Sequence, residues 1–201
     1  MMSLTPNAIH AEYVGTAAAA GGARTACHTV RCAPGDVIAD VRPGDIILIR
    51  GPGWLGWLIR LGARIRYRND DLRYAHWSHA AMVLSANGHL VEVHALGVGV
   101  CGIEKFRNSE FHYVRLDLSD RDRMLAVRYG YSCVGQRYGV SSFLLFGLSL
   151  ALGDRFHVPD WGQQGCVALI VRALQRAGVA FDRAPSDMMP ADLAKRFGVL
   201  P

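Results

Sequence analysis

Cysteine and histidine are the residues of this chain best suited to nucleophilic chemistry near neutral pH. Cys166 follows Gly165 and opens the segment CVALIVRALQRAG, whose apolar residues have helical spacing. A thiol in the first turn of a helix lies near unpaired N–H groups and partial positive charge, which lower its pKa. A neighbouring imidazole would lower it further. Cys166 is therefore the candidate nucleophile, and a buried apolar cysteine is the alternative interpretation.

The other cysteines fit this role less well. Cys101 lies in an expected strand or turn and Cys133 at an expected helix end, while Cys27 and Cys32 precede the main domain. Their odd total and irregular spacing favour reduced thiols over a disulfide framework. Cys27-His28 with Cys32 could begin a metal site, but no second ligand pair follows at zinc-finger spacing. We expect neither a metal nor a cofactor.

A hairpin is predicted around Asn87-Gly88, because two strand-like runs, 80–86 and 89–95, flank this dipeptide. A loop of two residues would pair Val83 with Glu92. The turn assignment fixes this register, and the register decides which side chains meet.

The same register would put two imidazoles on one face of the hairpin. Side chains alternate along a strand, so His79 shares its face with Glu92 and His94. His94, opposite Ala81, would lie diagonally across from His79, about 7–8 Å away between backbones, with Glu92 two residues further along. A strand histidine can also serve only a local hydrogen bond, but two on one face favour a functional pair.

Length and composition indicate one folded domain. The chain has 201 residues, of which 51% are apolar and 19% charged, values typical of a globular protein with a sizeable core. Residues 1–38 are rich in Ala, Gly and Thr without a sustained period. This predicts a flexible N-terminal arm before a catalytic domain spanning 39–201.

Charge and hydropathy bear on partners and location. The formal charge of +5 comes from scattered arginines, so no nucleic acid is expected as a partner. The N-terminus lacks an early basic region, and no apolar run reaches the ~20 residues of a membrane span. This favours a cytoplasmic location and leaves export by another route open. The sequence gives no indication of oligomeric state.

The segment WLGWLIRLGARIRYR is predicted to form an amphipathic helix. Arginines lie between apolar residues at near-helical spacing, namely Trp54, Leu55, Leu58, Leu61 and Ile65. Such a stripe is usually the face that packs on the core, and this is the favoured interpretation. A basic helix with tryptophans is also compatible with weak contact to a membrane surface.

Further periodic segments complete an α+β pattern. Strands are predicted at 46–50, 98–101 and 111–116, and helices from Ser119 to about Cys133, from Cys166 as far as Gly178, and over 190–197. The apolar run 140–152 is either a buried helix or the wall of an apolar pocket.

Five short motifs follow one another: Gly44-Asp45-Ile46-Ile47-Leu48, Ser78-His79-Ala80-Ala81-Met82-Val83, Val93-His94-Ala95, Gly135-x-x-Tyr138 and Gly165-Cys166. Together they resemble the circularly permuted NlpC-type papain-fold cysteine hydrolases of the YiiX kind, relatives of the lecithin:retinol acyltransferase-like enzymes. The likeness extends over about residues 41–200. Histidine comes first and cysteine last, the reverse of papain.

The resemblance implies a permuted papain-like fold, in which a half-barrel of antiparallel strands packs against helices around a Cys-His-polar triad. Cys166 then corresponds to the nucleophile and His79 to the base. The third place, commonly Glu in relatives, is His94 here, and Glu92 is the reserve candidate.

The implied reaction is cleavage of an amide, peptide or lipid-like ester through a thioester. The backbone N–H of Cys166, with Gln164 nearby, would hold the oxyanion, and Trp77 and Tyr138 would line the substrate groove. Relatives often read Cys-Ser-Glu at the nucleophile, whereas Val167 and Ala168 follow Cys166 here. The alternative is therefore an inactive relative that acts as a ligand-binding or membrane-surface module.

Overall fold

The structure, a computed structural model, describes residues 26–38, 40–94, 96–137 and 165–201. Within these residues the protein is an α+β fold, with one six-stranded antiparallel sheet and helices packed against it. The strands are β1 Cys27–Cys32, β2 Ile46–Ile49, β3 His79–Val83, β4 His89–His94, β5 Gly97–Gly102 and β6 Phe111–Leu116, in the sheet order β1-β6-β2-β3-β4-β5. The α-helices are α1 Gly53–Arg66, α2 Asp120–Cys133, α3 Cys166–Arg176 and α4 Pro190–Phe197, and short 3-10 segments span Asn69–His76, Ile103–Phe106 and Pro185–Asp187.

The sheet has two buried faces. On one face, Ile46 and Leu48 join a core shared with α2, α3 and α4. On the other, Ile47 and Ile49 pack in a second cluster that includes Phe106. Because side chains alternate along a strand, the continuous apolar run of β2 is buried on both sides.

A buried carboxylate ties β2 to its neighbours. Asp45 accepts hydrogen bonds from the Tyr113 hydroxyl at 2.6 Å, the Leu116 N–H at 3.0 Å and the Arg123 guanidinium at 2.6 Å. A buried charge is tolerated when it is paired and fully hydrogen-bonded in this way. Asp45 thus joins β2, β6 and α2 at the edge where β2 begins.

Two predicted helices are confirmed: the one that precedes the candidate nucleophile in the chain and the one that begins with it. α2 starts after Ser119, whose hydroxyl accepts the Asp122 N–H at 3.2 Å, and it ends at Cys133. α3 starts at Cys166 and ends before Gly178, which has a φ of +81°. β6 and α4 also have their predicted bounds. The apolar run 140–152 lies outside the described residues.

The expectation of a loosely attached arm is wrong for residues 26–38. β1 pairs with β6 over its whole length, from Cys27 with Leu116 to Cys32 with Phe111. The two cysteines are buried on opposite faces of the sheet. The strand is short and half polar, so its alternation gave no clear signal beside the Ala-rich stretch. The folded domain therefore begins before the predicted boundary.

The predicted hairpin forms, but its loop has four residues, 85–88, rather than two. Val83 pairs with Leu90 and not with Glu92. A slip of two residues keeps every side chain on its predicted face, because the side-chain period is two. It nevertheless brings Glu92 two residues closer to His79 along the hairpin.

Helix α1 forms as predicted but turns bulky apolar side chains toward solvent. Trp54, Leu61 and Ile65 are 69%, 39% and 57% exposed, so the core-packing interpretation is wrong for these residues. Leu58 is half-buried, and the side chain of Leu55 is outside the described residues. In the described part of the chain, none of the helices combines the length and the apolar character that crossing a bilayer requires.

Small residues explain how α1 is oriented. Gly56 and Ala63 are buried, and a Cβ at Gly56 would lie 2.6 Å from the Gly51 carbonyl oxygen. From the same helix, Arg60 donates to that carbonyl at 3.0 Å and to the Ser78 hydroxyl at 3.2 Å. Because this contact leaves no room for large side chains, the bulky apolar residues of α1 face outward.

Candidate active site

Cys166 is the first residue of α3 and is partly buried where this helix meets β3. Gly165 precedes it as the N-cap and offers no side chain to cap the helix. The N–H groups of the first turn therefore have no acceptor within the helix and present partial positive charge near the sulfur. The next residues, Val167 to Val171, are buried and fix this helix end in the core.

His79 is the first residue of β3, and the backbone around it is held from two directions. His79 pairs with Ile49 of β2, and the preceding Ser78 donates its N–H to the Ile49 carbonyl at 3.2 Å. The buried Ser78 hydroxyl accepts the Gly51 N–H at 2.9 Å. Phe106 packs beside the imidazole, with ring centroids 6.0 Å apart. The ring is therefore positioned by well-packed neighbours.

The Cys166 thiol and the His79 imidazole interact through charge and hydrogen bonding, which changes the pKa of both groups. Burial raises the pKa of Cys166, but the charge and hydrogen bond of His79 outweigh it, so the thiol pKa falls below its ordinary value. Burial lowers the pKa of His79, but Cys166 and Glu92 favour the imidazolium and raise that pKa to about 9. A thiolate–imidazolium pair is therefore favoured near neutral pH.

Glu92 of β4 binds the other side of the His79 ring. Its Oε2 lies 2.8 Å from His79 Nε2, and its side chain is 5% exposed. Burial raises the pKa of this carboxyl, but hydrogen bonds and charges from His79 and Lys105 lower it to about 2. Because Nε2 is occupied by Glu92, Nδ1 is the ring nitrogen left for Cys166. A carboxylate so placed orients the imidazole and stabilises its cation.

Two backbone N–H groups also lower the pKa of the Cys166 thiol through hydrogen bonding. One belongs to Val167 in the first turn of α3, and the other to Ala80 of β3. Within the described residues, β3 pairs with β4 only from Met82 onward, so the sheet is open beside Ala80. Hydrogen bonds to the charged form favour it, so both donors stabilise the thiolate.

The expectation that His94 contacts His79 is wrong. His94 is exposed, and its Nδ1 accepts the Leu96 N–H at 3.2 Å. Its ring lies over Gly99 of β5, where a Cβ would be 2.7 Å from Nε2. The register alone would place His94 opposite His79. In the described residues, however, β3 and β4 pair only at Met82 and Val83 and the His94 ring lies over β5, so Glu92, the reserve candidate, is the partner of His79.

Trp77, expected in the substrate groove, is a core residue instead. It is completely buried, and its indole N–H donates to the Val199 carbonyl at 3.2 Å. Trp77 precedes β3 and follows the 3-10 segment Asn69–His76, so strand alternation does not relate it to His79. Tyr138 and Gln164, the other groove and oxyanion candidates, lie outside the described residues.

Two contacts of Glu92 were missed by the sequence reasoning. The Lys105 ammonium bonds to Glu92 Oε1, and the Cys101 thiol forms a hydrogen bond with the same carboxylate. Cys101 lies diagonally across the β4–β5 pair, a contact that requires the register of a third strand. Lys105 lies in a 3-10 segment of four residues, which is too short for a sequence period to be visible. The feature of the sequence that could have drawn attention to Lys105 is its rarity, since it is one of two lysines among the 22 Lys and Arg residues.

The site therefore offers a nucleophile, a base and an anion that orients the base. A thiolate of this kind can attack an electrophilic carbonyl carbon, and the paired imidazolium can protonate the group that leaves. The described residues contain no group of three or more His, Cys, Asp or Glu side chains placed to hold a metal ion.

Comparison with known proteins assigns no family to the chain. No protein-family model matches it, and no curated protein matches it either. The functional argument therefore rests on the geometry of Cys166, His79 and Glu92.

Proposed function

We propose that the protein is a cysteine hydrolase or acyltransferase that cleaves an amide, peptide or lipid-like ester through a thioester on Cys166. The observation that carries this proposal is the imidazole of His79, which bonds to Glu92 on one side and to Cys166 on the other. A structural cysteine in a core needs neither an imidazole nor a buried carboxylate behind it. The proposed catalytic residues are Cys166, His79 and Glu92, with Glu92 in place of the expected His94.

In the acylation step, the Cys166 thiolate attacks the substrate carbonyl carbon, and the carbonyl electron pair moves onto oxygen. The tetrahedral intermediate collapses, the bond to the leaving group breaks, and His79 gives its proton to the departing alcohol or amine. Glu92 stays ionised and holds the ring in place. The products of this step are the thioester and the released leaving group.

In the second step, neutral His79 takes a proton from water, or from an acceptor alcohol or amine, as that molecule attacks the thioester. The carbon–sulfur bond breaks, and the thiolate–imidazolium pair is restored. Water gives hydrolysis and another acceptor gives transfer. The backbone N–H of Cys166, at the start of α3, is the proposed oxyanion donor, because it has no acceptor within the helix.

A permuted papain-like arrangement is part of the proposal. It is supported by the chain order of the site, since the base comes from an early strand and the nucleophile from the start of a late helix.

An inactive ligand-binding relative is the second candidate function. The observation that favours it is the first turn of α3, where Val167 and Ala168 are buried and apolar. No second polar side chain beside the thiol is available there to bind substrate. Such a protein would occupy its site without forming a covalent bond to Cys166.

The test is to trap the thioester in the full-length protein. p-Nitrophenyl butyrate should give a burst of p-nitrophenol equal to the protein concentration, and peptide mass spectrometry should find the butyryl group on Cys166. Cys166→Ala should abolish the burst, and Cys101→Ala should retain it. A burst that survives in Cys166→Ala would overturn the proposal. Absence of any acyl adduct in the folded wild-type protein would favour the ligand-binding alternative.

A further inference from the structure

Helix α1 carries a continuous stripe of exposed apolar side chains. Trp54, Trp57, Leu61 and Ile65 are 69%, 56%, 39% and 57% exposed. At about 100° per residue, these positions lie within an arc of about 80° on the helix surface. Scattered exposed apolar residues need no explanation, but a contiguous stripe with two tryptophans marks a surface that is covered by something.

The stripe is not a core face left uncovered by chance. The opposite side of α1 is already packed, with Gly56 and Ala63 buried and the Gly56 backbone close to the Gly51 carbonyl. Rotation of α1 to bury Trp54 or Trp57 would place a bulky ring where even a Cβ would come within 2.6 Å of backbone. The fold therefore holds these side chains outward.

The charges on α1 itself are of one sign, and the acidic residues Asp70 and Asp71 lie beyond its end. The sequence of α1 contains no Asp or Glu, and Arg64 and Arg66 lie in its last turn, with Arg68 just beyond. Among the described residues, neither Arg64 nor Arg68 has an acidic partner. An aromatic and aliphatic stripe flanked by arginines is the pattern of a helix that lies in the headgroup region of an anionic bilayer.

We propose that α1 is a membrane-docking surface, which places Trp54, Trp57, Leu61 and Ile65 among the headgroups and upper acyl chains of an anionic membrane. Charge complementarity decides the occupant, since Arg64 and Arg68 form no ion pair in the described part of the protein and anionic headgroups supply acidic partners. The inference is independent of the thiol chemistry, and its test measures binding alone.

The connection between α1 and β3 gives docking a structural consequence. Arg60 of α1 donates to the Ser78 hydroxyl, and Ser78 directly precedes His79. The Ser78 hydroxyl also accepts the Gly51 N–H, two residues before α1 begins. A docked α1 would therefore hold the start of β3 close to the membrane surface.

The experiment is co-sedimentation of the full-length protein with phosphatidylglycerol-containing vesicles and with pure phosphatidylcholine vesicles. We expect binding to the anionic vesicles that weakens at high salt, and little binding to the neutral ones. Trp54→Ser with Trp57→Ser should lower the partition coefficient at least about tenfold. Arg64→Gln with Arg68→Gln should reduce binding to anionic vesicles alone, and both positions are exposed, so folding should be retained.

The matched control is Leu96→Ser, which removes an apolar side chain that is 73% exposed outside α1. It should bind anionic vesicles as the wild type does. Wild-type protein that stays in the supernatant, or a double tryptophan variant that binds equally well, would overturn the proposal. A concentration-dependent dimer that the tryptophan changes dissolve, without vesicle binding, would overturn it by assigning the stripe to a second copy of the chain.

Discussion

Cys166 and Cys101 are two partly buried thiols on either side of the same His79–Glu92 pair, and their pKa values move in opposite directions. Burial raises the pKa of both. The positive charge of the imidazole beside Cys166 lowers the pKa of that thiol below the ordinary value, whereas burial, together with the Glu92 carboxylate, raises the pKa of Cys101 to about 12. Because burial acts in the same direction on both thiols, the sign of the adjacent charge is what gives their pKa values opposite directions.

The largest expected effect is the difference in alkylation between these two thiols. With iodoacetamide at pH 7, we expect Cys166 to react at least about 10²-fold faster than Cys101, because its thiolate is populated and this outweighs the lower nucleophilicity of a less basic thiol. Site-resolved mass spectrometry measures both rates. Cys166→Ala should remove the fast phase and Cys101→Ala should leave it intact. Equal alkylation rates for Cys166 and Cys101 would contradict the opposite shifts of their pKa values.

The next largest effect is expected from the imidazole. In His79→Ala, burial of the Cys166 sulfur is no longer opposed by a cation, so the thiol pKa should rise. Alkylation of Cys166 at pH 7 should slow by about 10- to 100-fold. The readout is the pH dependence of the rate, whose midpoint should move to higher pH. His94→Ala is the matched control, and a similar shift there would restore His94 as a member of the site.

Glu92→Gln should change both the pKa of His79 and the pKa of Cys101, because Glu92 interacts with both residues. Loss of the carboxylate lowers the pKa of His79, so the alkaline limb of acyl turnover, expected near pH 9 in the wild type, should move to lower pH. The same change removes the anion that raises the pKa of Cys101, so Cys101 should alkylate faster. The alkaline limb should move by about one pH unit, and the alkylation rate of Cys101 should rise about tenfold, which corresponds to about one pKa unit. An alkaline limb that stays near pH 9, together with an unchanged alkylation rate of Cys101, would exclude Glu92 as the common partner of His79 and Cys101.

The smallest effect is expected from Lys105→Gln. The side chain of Lys105 is 50% exposed, so its pairing with Glu92 is screened, and turnover should change by less than about threefold. Lys105 lowers the pKa of Glu92, so its loss should raise that pKa. The stability from ionised Glu92 is present above about pH 4.5 and is lost as the pH falls toward 2. Acid unfolding should therefore begin at slightly higher pH, as circular dichroism can follow.

Local signals account for what the sequence could predict. The place of Cys166 follows from Gly165, the apolar period after it and Gly178 as the stop, all within one helix. The cap at Ser119 is likewise a contact between residues three apart. Such features depend on a few neighbouring residues, so sequence reasoning finds them.

Contacts between strands of the hairpin could be predicted only in part from the sequence. The hairpin and its faces were predictable, because alternation survives a two-residue slip, but the partner of His79 was not. Whether Glu92 or His94 reaches the imidazole depends on the number of residues in the turn and on where β3 and β4 stop pairing, and the Asn-Gly signal determines neither alone. Lys105 and β1 depend on pairing between distant segments and had no local signal.

Helix α1 shows a different limit. Its apolar period was real, but periodicity identifies an amphipathic helix without saying which side packs on the protein. Gly56 and Ala63, rather than Trp54 and Ile65, decided the orientation, because two backbones can approach closely where side chains are small.

At the opening in the sheet beside Ala80, a main-chain hydrogen bond to β4 is absent among the described residues, and the Ala80 amide interacts with the Cys166 sulfur instead. A strand that paired fully there would gain further main-chain hydrogen bonds and a lower free energy, but it would use the amide that now faces the sulfur. Selection for a more thermostable sequence would favour full pairing of β3 with β4. The resulting protein would be more stable but would have no free amide to hold an anion at that point. Engineering of this fold should therefore leave the first residues of β3 unpaired with β4.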